Sequence, residues 1–222
     1  MQKESARYPR FFDDGKSPAY VLLENYCMAY IKTLARDLMC MPIPDSLSEQ
    51  ATPLLRVQQK LSKREAHILE LVEFQVRTRL SNLSSIHDSQ AIHELPTEEF
   101  SIQINNRKML PVLEVMMEIH QHNEMEHSVI LRTIEGDLAT ILNKVDQTYI
   151  DNPFSPFSLC SIIYSSVSPL DLEGADLALL MRLFSSLLND RLADFYTHFA
   201  SGITALGRKN QIKQAVDYSQ RT

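Results

Sequence analysis

Between residues 18 and 41 the apolar side chains recur at helical spacing, with Leu23, Cys27, Tyr30, Ile31, Leu34 and Leu38 on one stripe. Ser17 followed by Pro18 has the form of an N-cap with proline at the first helical position. Pro42 and Pro44 end the run, because proline cannot continue the hydrogen-bond ladder. Residues 45–61 predict a short helical passage interrupted at Thr52-Pro53. Ser62, three residues ahead of Glu65, has the form of a capping box. It opens an amphipathic helix with Leu69, Val72, Val76, Leu80 and Leu83 on its core face.

Residues 84–108 hold no sustained period and predict a long central loop, a length uncommon in a compact domain unless it is mobile or functional. The alternation FSIQI within it is strand-like but has no partner strand in the pattern. From Pro111 to about Val145 the longest helix is expected, on the stripe Val112, Met116, Ile119, Ile130, Ile134, Leu138, Ile141 and Val145. Pro153 and Pro156 then break the chain, and Ser155-Pro156 repeats the pattern of cap plus first turn. A shorter helix follows and ends before Pro169.

The last major helix is expected from Leu172 to Phe199, with Leu177, Leu180, Phe184, Leu187, Phe195 and Phe199 on one side. Leu179, Leu183 and Leu188 widen that side until residues 177–188 are apolar nearly all round, the mark of a central, covered helix. Gly202 and Gly207 read as helix-terminating glycines. The pattern therefore predicts an all-α helical bundle of five to seven helices with a long central loop. Its expected divisions are a flexible or docking arm (1–16), a single helical domain (17–207, with subgroups 18–83 and 112–203) and a polar tail (208–222).

Composition agrees with this class. Of 222 residues 44% are hydrophobic, enough for a substantial core, and only 5 are glycine, few for a fold built on β-turns and bulges. A net charge of −6 argues against nucleic acid as the main partner, since binding a phosphate backbone depends on a basic face. Lys63-Arg64, Arg77/Arg79 and Arg208-Lys209 are short clusters, mostly beside acids. Cys27, Cys40 and Cys160 are widely spaced and form no CxxC pair, so zinc and dithiol chemistry fall away and buried free thiols are expected at Cys27 and Cys160. With no signal-like opening and no apolar stretch of membrane-spanning length, a cytoplasmic protein is expected.

Asn152-Pro153 with Pro156, the Leu159-Cys160 pair, and the leucine/phenylalanine helix that closes on Leu192 and Tyr196 make a turn–helix–turn–helix motif. Together with the long helix before it, spanning residues 112–203, this segment resembles bacterial domain-of-unknown-function family sixteen thirty-one, sometimes labelled thymidine phosphorylase. The resemblance implies a helical region of a bacterial regulatory or interaction protein. A phosphorylase must cradle phosphate, usually on a glycine-rich loop at a helix start. GITALGRKN resembles such a loop only superficially: arginine follows Gly207 in place of lysine, no Ser/Thr takes the magnesium position, and a helix precedes it where a strand belongs.

The sharpest polar constellation is EIHQHNEMEH, in which His120, Glu124 and His127 recur on one helix face, and His122 and Glu126 share another. Imidazole and carboxylate at that spacing can hold a transition metal in a bundle, but a competent site draws ligands from a second helix and none is apparent. No metal or other cofactor is therefore assigned, and a solvated polar face is the preferred reading. Asn123 and His127 nonetheless fall close to the apolar seam, so the core stripe turns polar for two turns. In the arm, Arg7, Tyr8, Arg10, Phe11 and Phe12 concentrate residue types enriched in interface hot spots and are the candidate partner-binding set. No arrangement for nucleophilic catalysis is apparent. The expected function is a non-catalytic module binding a protein partner or a second copy of itself. The alternative is a sensor of a nucleotide second messenger, such as a cyclic dinucleotide, or of a metal.

Overall fold

A computed structural model describes residues 18–85, 110–141 and 152–219. Among them are seven α-helices and no strand: α1 (Pro18–Cys40), α2 (Ala51–Ser62), α3 (Glu65–Ser85), α4 (Leu110–Glu126), α5 (Ser128–Ile141), α6 (Pro156–Val167) and α7 (Gly174–Ser219). Short 3₁₀ turns at Asp45–Gln50 and Ser168–Leu170 lead into α2 and away from α6. The all-α bundle expected from the periodicity is the observed class. The arm, the FSIQI segment and the loop beyond Ser85 lie outside the described residues.

Neighbouring helices pair in the order α7, α1, α3, α6, α4 and back to α7, which closes a ring. α2 packs on α1 and α7, and α5 continues along α7 beyond α4. Polar contacts fix the directions. Glu24, Lys32 and Arg36 on α1 meet Arg77, Glu73 and Glu65 on α3, so these two helices are antiparallel. Tyr30 Oη donates to the Arg191 carbonyl at 2.7 Å, and Leu23 lies against Gly202, so α1 is antiparallel to α7 as well. Glu118 faces Arg182, His127 faces Tyr196, and the Thr204 hydroxyl donates to Asp137 at 2.7 Å, so α4 and α5 run parallel to α7.

The predicted stripes form one hydrophobic core that includes both sequence subgroups. Leu23, Cys27, Ile31, Leu34 and Leu38 from α1 are buried with Val72, Val76 and Leu80 from α3 and with Leu177, Leu180, Phe184, Leu187, Phe195 and Phe199 from α7. The helix covered on all sides is α6, however: every residue of it except Phe157 and Ser165 is buried. α7 keeps an exposed face through Arg182 and Arg191. α6 stands between α3 and α4 and also touches α7, so it has neighbours in every direction.

Four local expectations are corrected. Ser62 closes α2 and donates to the Gln58 carbonyl at 2.9 Å, so it is not the cap of α3. The turn residue Arg64 supplies the carbonyl that accepts from Ile68 N at 3.0 Å and starts that helix. Thr52-Pro53 does not interrupt its helix but lies in the first turn of α2, where an amide N–H has no intrahelical partner to lose. The run from residue 111 is two helices, α4 and α5, divided at His127. The Asn123 side-chain amide donates to the Ile119 carbonyl at 2.9 Å, a back-bond that competes with the ladder and bends a helix at this level. Finally, Gly202 and Gly207 do not terminate a helix. α7 passes through both and runs for 46 residues, about 69 Å at the standard rise, which makes it the longest element.

Two connections show how buried polar groups are matched. Gln58 is buried and donates to the Leu38 and Met41 carbonyls at 3.1 and 3.0 Å, satisfying acceptors that the end of α1 leaves without helical partners. Before α7, Asp171 adopts φ 51°, a left-handed conformation that a short polar side chain tolerates and that reverses the chain after the 3₁₀ turn.

Candidate functional site

The polar stretch of α4 divides between the interior and the surface. Asn123 is fully buried and His127 is 9% exposed, so the polar break in the core stripe is interior. His122 and Glu126 are exposed on the opposite side, with Nε2 and Oε2 3.5 Å apart. His120 stands between these extremes: its Nε2 lies 3.7 Å from Glu124 Oε2, and its ring meets Phe157 edge-on at 5.8 Å. The sequence therefore brings His120 and Glu124 together, while His127 turns inward to Tyr196. Among the described residues no group of three or more His, Cys, Asp or Glu side chains is placed to hold a metal ion.

The interior half of the stretch meets the turn that precedes α6. Asn152 Oδ1 accepts from Phe154 N at 3.0 Å, and Ser155 N donates to the Asn152 carbonyl at 3.0 Å, which folds the two-proline segment into an Asx-type turn. Ser155 caps α6 by accepting from Ser158 N at 3.2 Å, with Pro156 in the first turn, as the sequence predicts. Tyr196 from α7 donates through Oη to the Phe154 carbonyl at 3.0 Å. His127 packs edge-on to the same tyrosine ring, so α4, the turn and α7 meet along one polar seam.

Four buried atoms on these elements have no hydrogen-bond partner within the protein: His120 Nδ1, Asn123 Oδ1, His127 Nε2 and Asn152 Nδ2. Burial holds the Tyr196 hydroxyl well above its usual ionisation range, with Cys160, Tyr30 and Glu124 adding to the effect. Asn152 and Tyr196 belong to the seam on structural grounds alone. The only sequence sign of Asn152 is its place before a proline turn, and Tyr196 reads simply as one more aromatic on an apolar stripe.

A second feature lies on the outer side of the same helices. Val129 and Met125 are 80% and 74% exposed, and Met117 is 47% exposed. An open groove of ≈ 660 Å³ that Met125 lines crosses the α4–α5 junction, bounded by Gln121, Glu124, Ser128, Arg132 and Glu135 over the buried Leu131. Residues 110–141 carry six carboxylates against one arginine and no lysine, so this stretch is strongly acidic. The candidate partner-binding residues Arg7, Tyr8, Arg10, Phe11 and Phe12 lie outside the described residues.

Other reactive groups are closed off or singly placed. Cys27 and Cys160 are buried, and desolvation pushes both thiols far up. Cys40 is exposed. No helix among the described residues is long and apolar enough to cross a membrane. No protein-family model matches the chain, and neither a curated protein nor a solved structure does so.

Proposed function

We propose that this chain is a non-catalytic helical interaction module of a bacterial, cytoplasmic regulatory pathway, binding a protein partner or a second copy of itself. The observation that carries the reading is the exposed strip of Met117, Met125 and Val129 on α4 and α5. Scattered apolar side chains are ordinary on a surface, but Met125 and Val129 stand one helical turn apart, well exposed, with Met125 lining an open groove, which is characteristic of an interaction face. Methionine suits such a face because its flexible thioether adapts to varied partner shapes. The resemblance of residues 112–203 to a bacterial domain-of-unknown-function family supports the bacterial setting, and the unpaired thiols fit a reducing compartment.

The test is site-specific photocrosslinking in cells, with the probe at residue 129 and a control probe at exposed Arg56 on α2. A discrete crosslinked species, hetero or homodimeric, is expected from residue 129 and not from residue 56. Equal or absent crosslinking at both positions sinks the reading. The alternative, a sensor of a nucleotide second messenger, draws on the polar seam, where Asn123, His127 and Asn152 hold buried atoms without protein partners. For it, a cyclic dinucleotide raises the melting temperature by mass action. An unchanged melt at saturating nucleotide removes it.

A further inference from the structure

The interaction face also specifies what it binds. Resting on the reading of that face as an interaction site, we infer that the α4–α5 groove takes a basic amphipathic helix from another protein. Three observations converge on this occupant. The groove follows the helix axes from Gln121 to Glu135, about 21 Å at the helical rise, which matches roughly four turns of a second helix and is longer than a single side-chain pocket requires. Its lining residues Gln121, Met125, Ser128, Arg132 and Glu135 recur every three or four positions along one face of α4 and α5, with exposed Val129 one turn beyond Met125, the spacing that receives residues i, i+3/i+4 and i+7 of an incoming helix.

The third observation is charge. Glu124 and Glu135 line the groove, and Glu118 and Glu126 are exposed on the same stretch of α4: Glu118 is 3.7 Å from Arg182, while Glu124 and Glu126 meet His120 and His122. Arg132 is the one guanidinium between Leu110 and Ile141. An acidic partner helix would bring like charges together here. A purely apolar helix would leave the carboxylates beside a surface that desolvates them without compensation. Lysine or arginine flanking an apolar face meets both demands, with the acids speeding encounter and the methionines slowing release.

The experiment titrates the full-length chain against three fluorescent peptides of equal length. One is a basic amphipathic helix with leucine and phenylalanine on one face. The second is a scrambled peptide of the same composition. The third is the amphipathic design with its bases replaced by glutamate. The first peptide is expected to bind at least about tenfold tighter than either control, and its affinity to fall about tenfold between low and 0.5 M salt. Met125→Ser with Val129→Ser, and separately Glu118→Gln with Glu124→Gln and Glu126→Gln, should each weaken it about tenfold, with unchanged helical circular dichroism. All these positions are exposed, so the variants retain the core.

Equal binding of all three peptides overturns the inference, as does tight binding that neither set of substitutions alters. Two further outcomes assign the groove elsewhere. Intramolecular crosslinking of residue 129 to residues 7–12 makes the chain's own arm the occupant. Homodimerisation through residue 129 makes it a second copy. If peptides fail while the residue 129 crosslink to another protein succeeds, the interaction module stands and the basic partner falls. If both fail, both fall.

Discussion

The imidazole of His127 stands edge-on to the phenol ring of Tyr196, with centroids 5.8 Å apart and an interplanar angle of 68°. This contact places α4 on α7 where the helical ladder changes course, and the same tyrosine ties α7 to the turn before α6 through Phe154. The seam is thus shared by three segments remote in sequence.

Tyr196→Phe removes the hydroxyl that serves the Phe154 carbonyl and leaves a buried acceptor. Urea unfolding is expected to show a loss of about 1–2 kcal/mol with an unchanged slope. A neutral result would mean that the carbonyl finds another donor.

Asn123→Leu tests the opposite balance. The asparagine is fully buried, its Oδ1 has no protein partner, and its amide draws on a carbonyl of its own helix. A leucine of similar shape should match the wild type or stabilise by about 1 kcal/mol, and should raise helicity at the α4–α5 junction. Destabilisation by more than about 2 kcal/mol would show that Oδ1 is held by a bound water.

Two glycines inside helices should respond differently to alanine. A Cβ at Gly136 meets nothing within 4 Å, so Gly136→Ala should stabilise by about 1 kcal/mol through helix propensity. At Gly202 the same atom lies 2.8 Å from Leu23 Cδ1, so the leucine must move and most of that gain is lost. Thermal melts of the two variants, and of Gly202→Ala with Leu23→Ala, check the contrast.

Alkaline pH should unfold the bundle. Desolvation raises Cys27, Cys160, Tyr30 and Tyr196, and pushes Tyr26 up to about 12. Each group is held protonated more strongly in the folded state than in the unfolded one. The stability they contribute is therefore present below the ordinary values of 9.0 for thiols and 10.0 for tyrosine, and is lost as pH rises toward the folded values. Phenolate absorbance should rise in step with loss of helical circular dichroism. A complete tyrosine titration with the helices intact would contradict it.

Thiol accessibility follows from the same burial. In native protein only Cys40 should react rapidly with an aromatic disulfide reagent, and Cys27 and Cys160 should follow after denaturation. Rapid reaction of all three thiols in folded protein would place the α1 and α6 stripes at the surface.

Much of this architecture is legible in the residues, because a stripe such as Val72, Val76 and Leu80 has one stable use, to face a core. The proline stops at Pro42 and Pro169 and the cap at Ser155 are legible for the same local reason. What escapes the pattern depends on remote partners. Gly202 looks like a terminator until α1 approaches it, and Ser62 looks like a cap until α2 is seen to claim it. The division at His127 does not shift the phase of the apolar period, so the polar interruption there gives no sign that one helix has become two. The candidate seam is half legible: Asn123 and His127 interrupt an apolar stripe, whereas Asn152 and Tyr196 join them only through the fold. The apolar pair Met125 and Val129 is legible as residues but not as a surface, because exposure depends on where the other helices stop.

α7 packs on α1, α2, α4, α5 and α6, so five of the six other described helices share this one rod as a wall. Melting any neighbour uncovers part of it, and melting the rod removes the shared backing of the rest. No half of the chain keeps a closed interior by itself. The bundle should therefore come apart in a single transition, its calorimetric enthalpy equal to the van't Hoff value, and separately expressed halves should recover native helicity only when mixed.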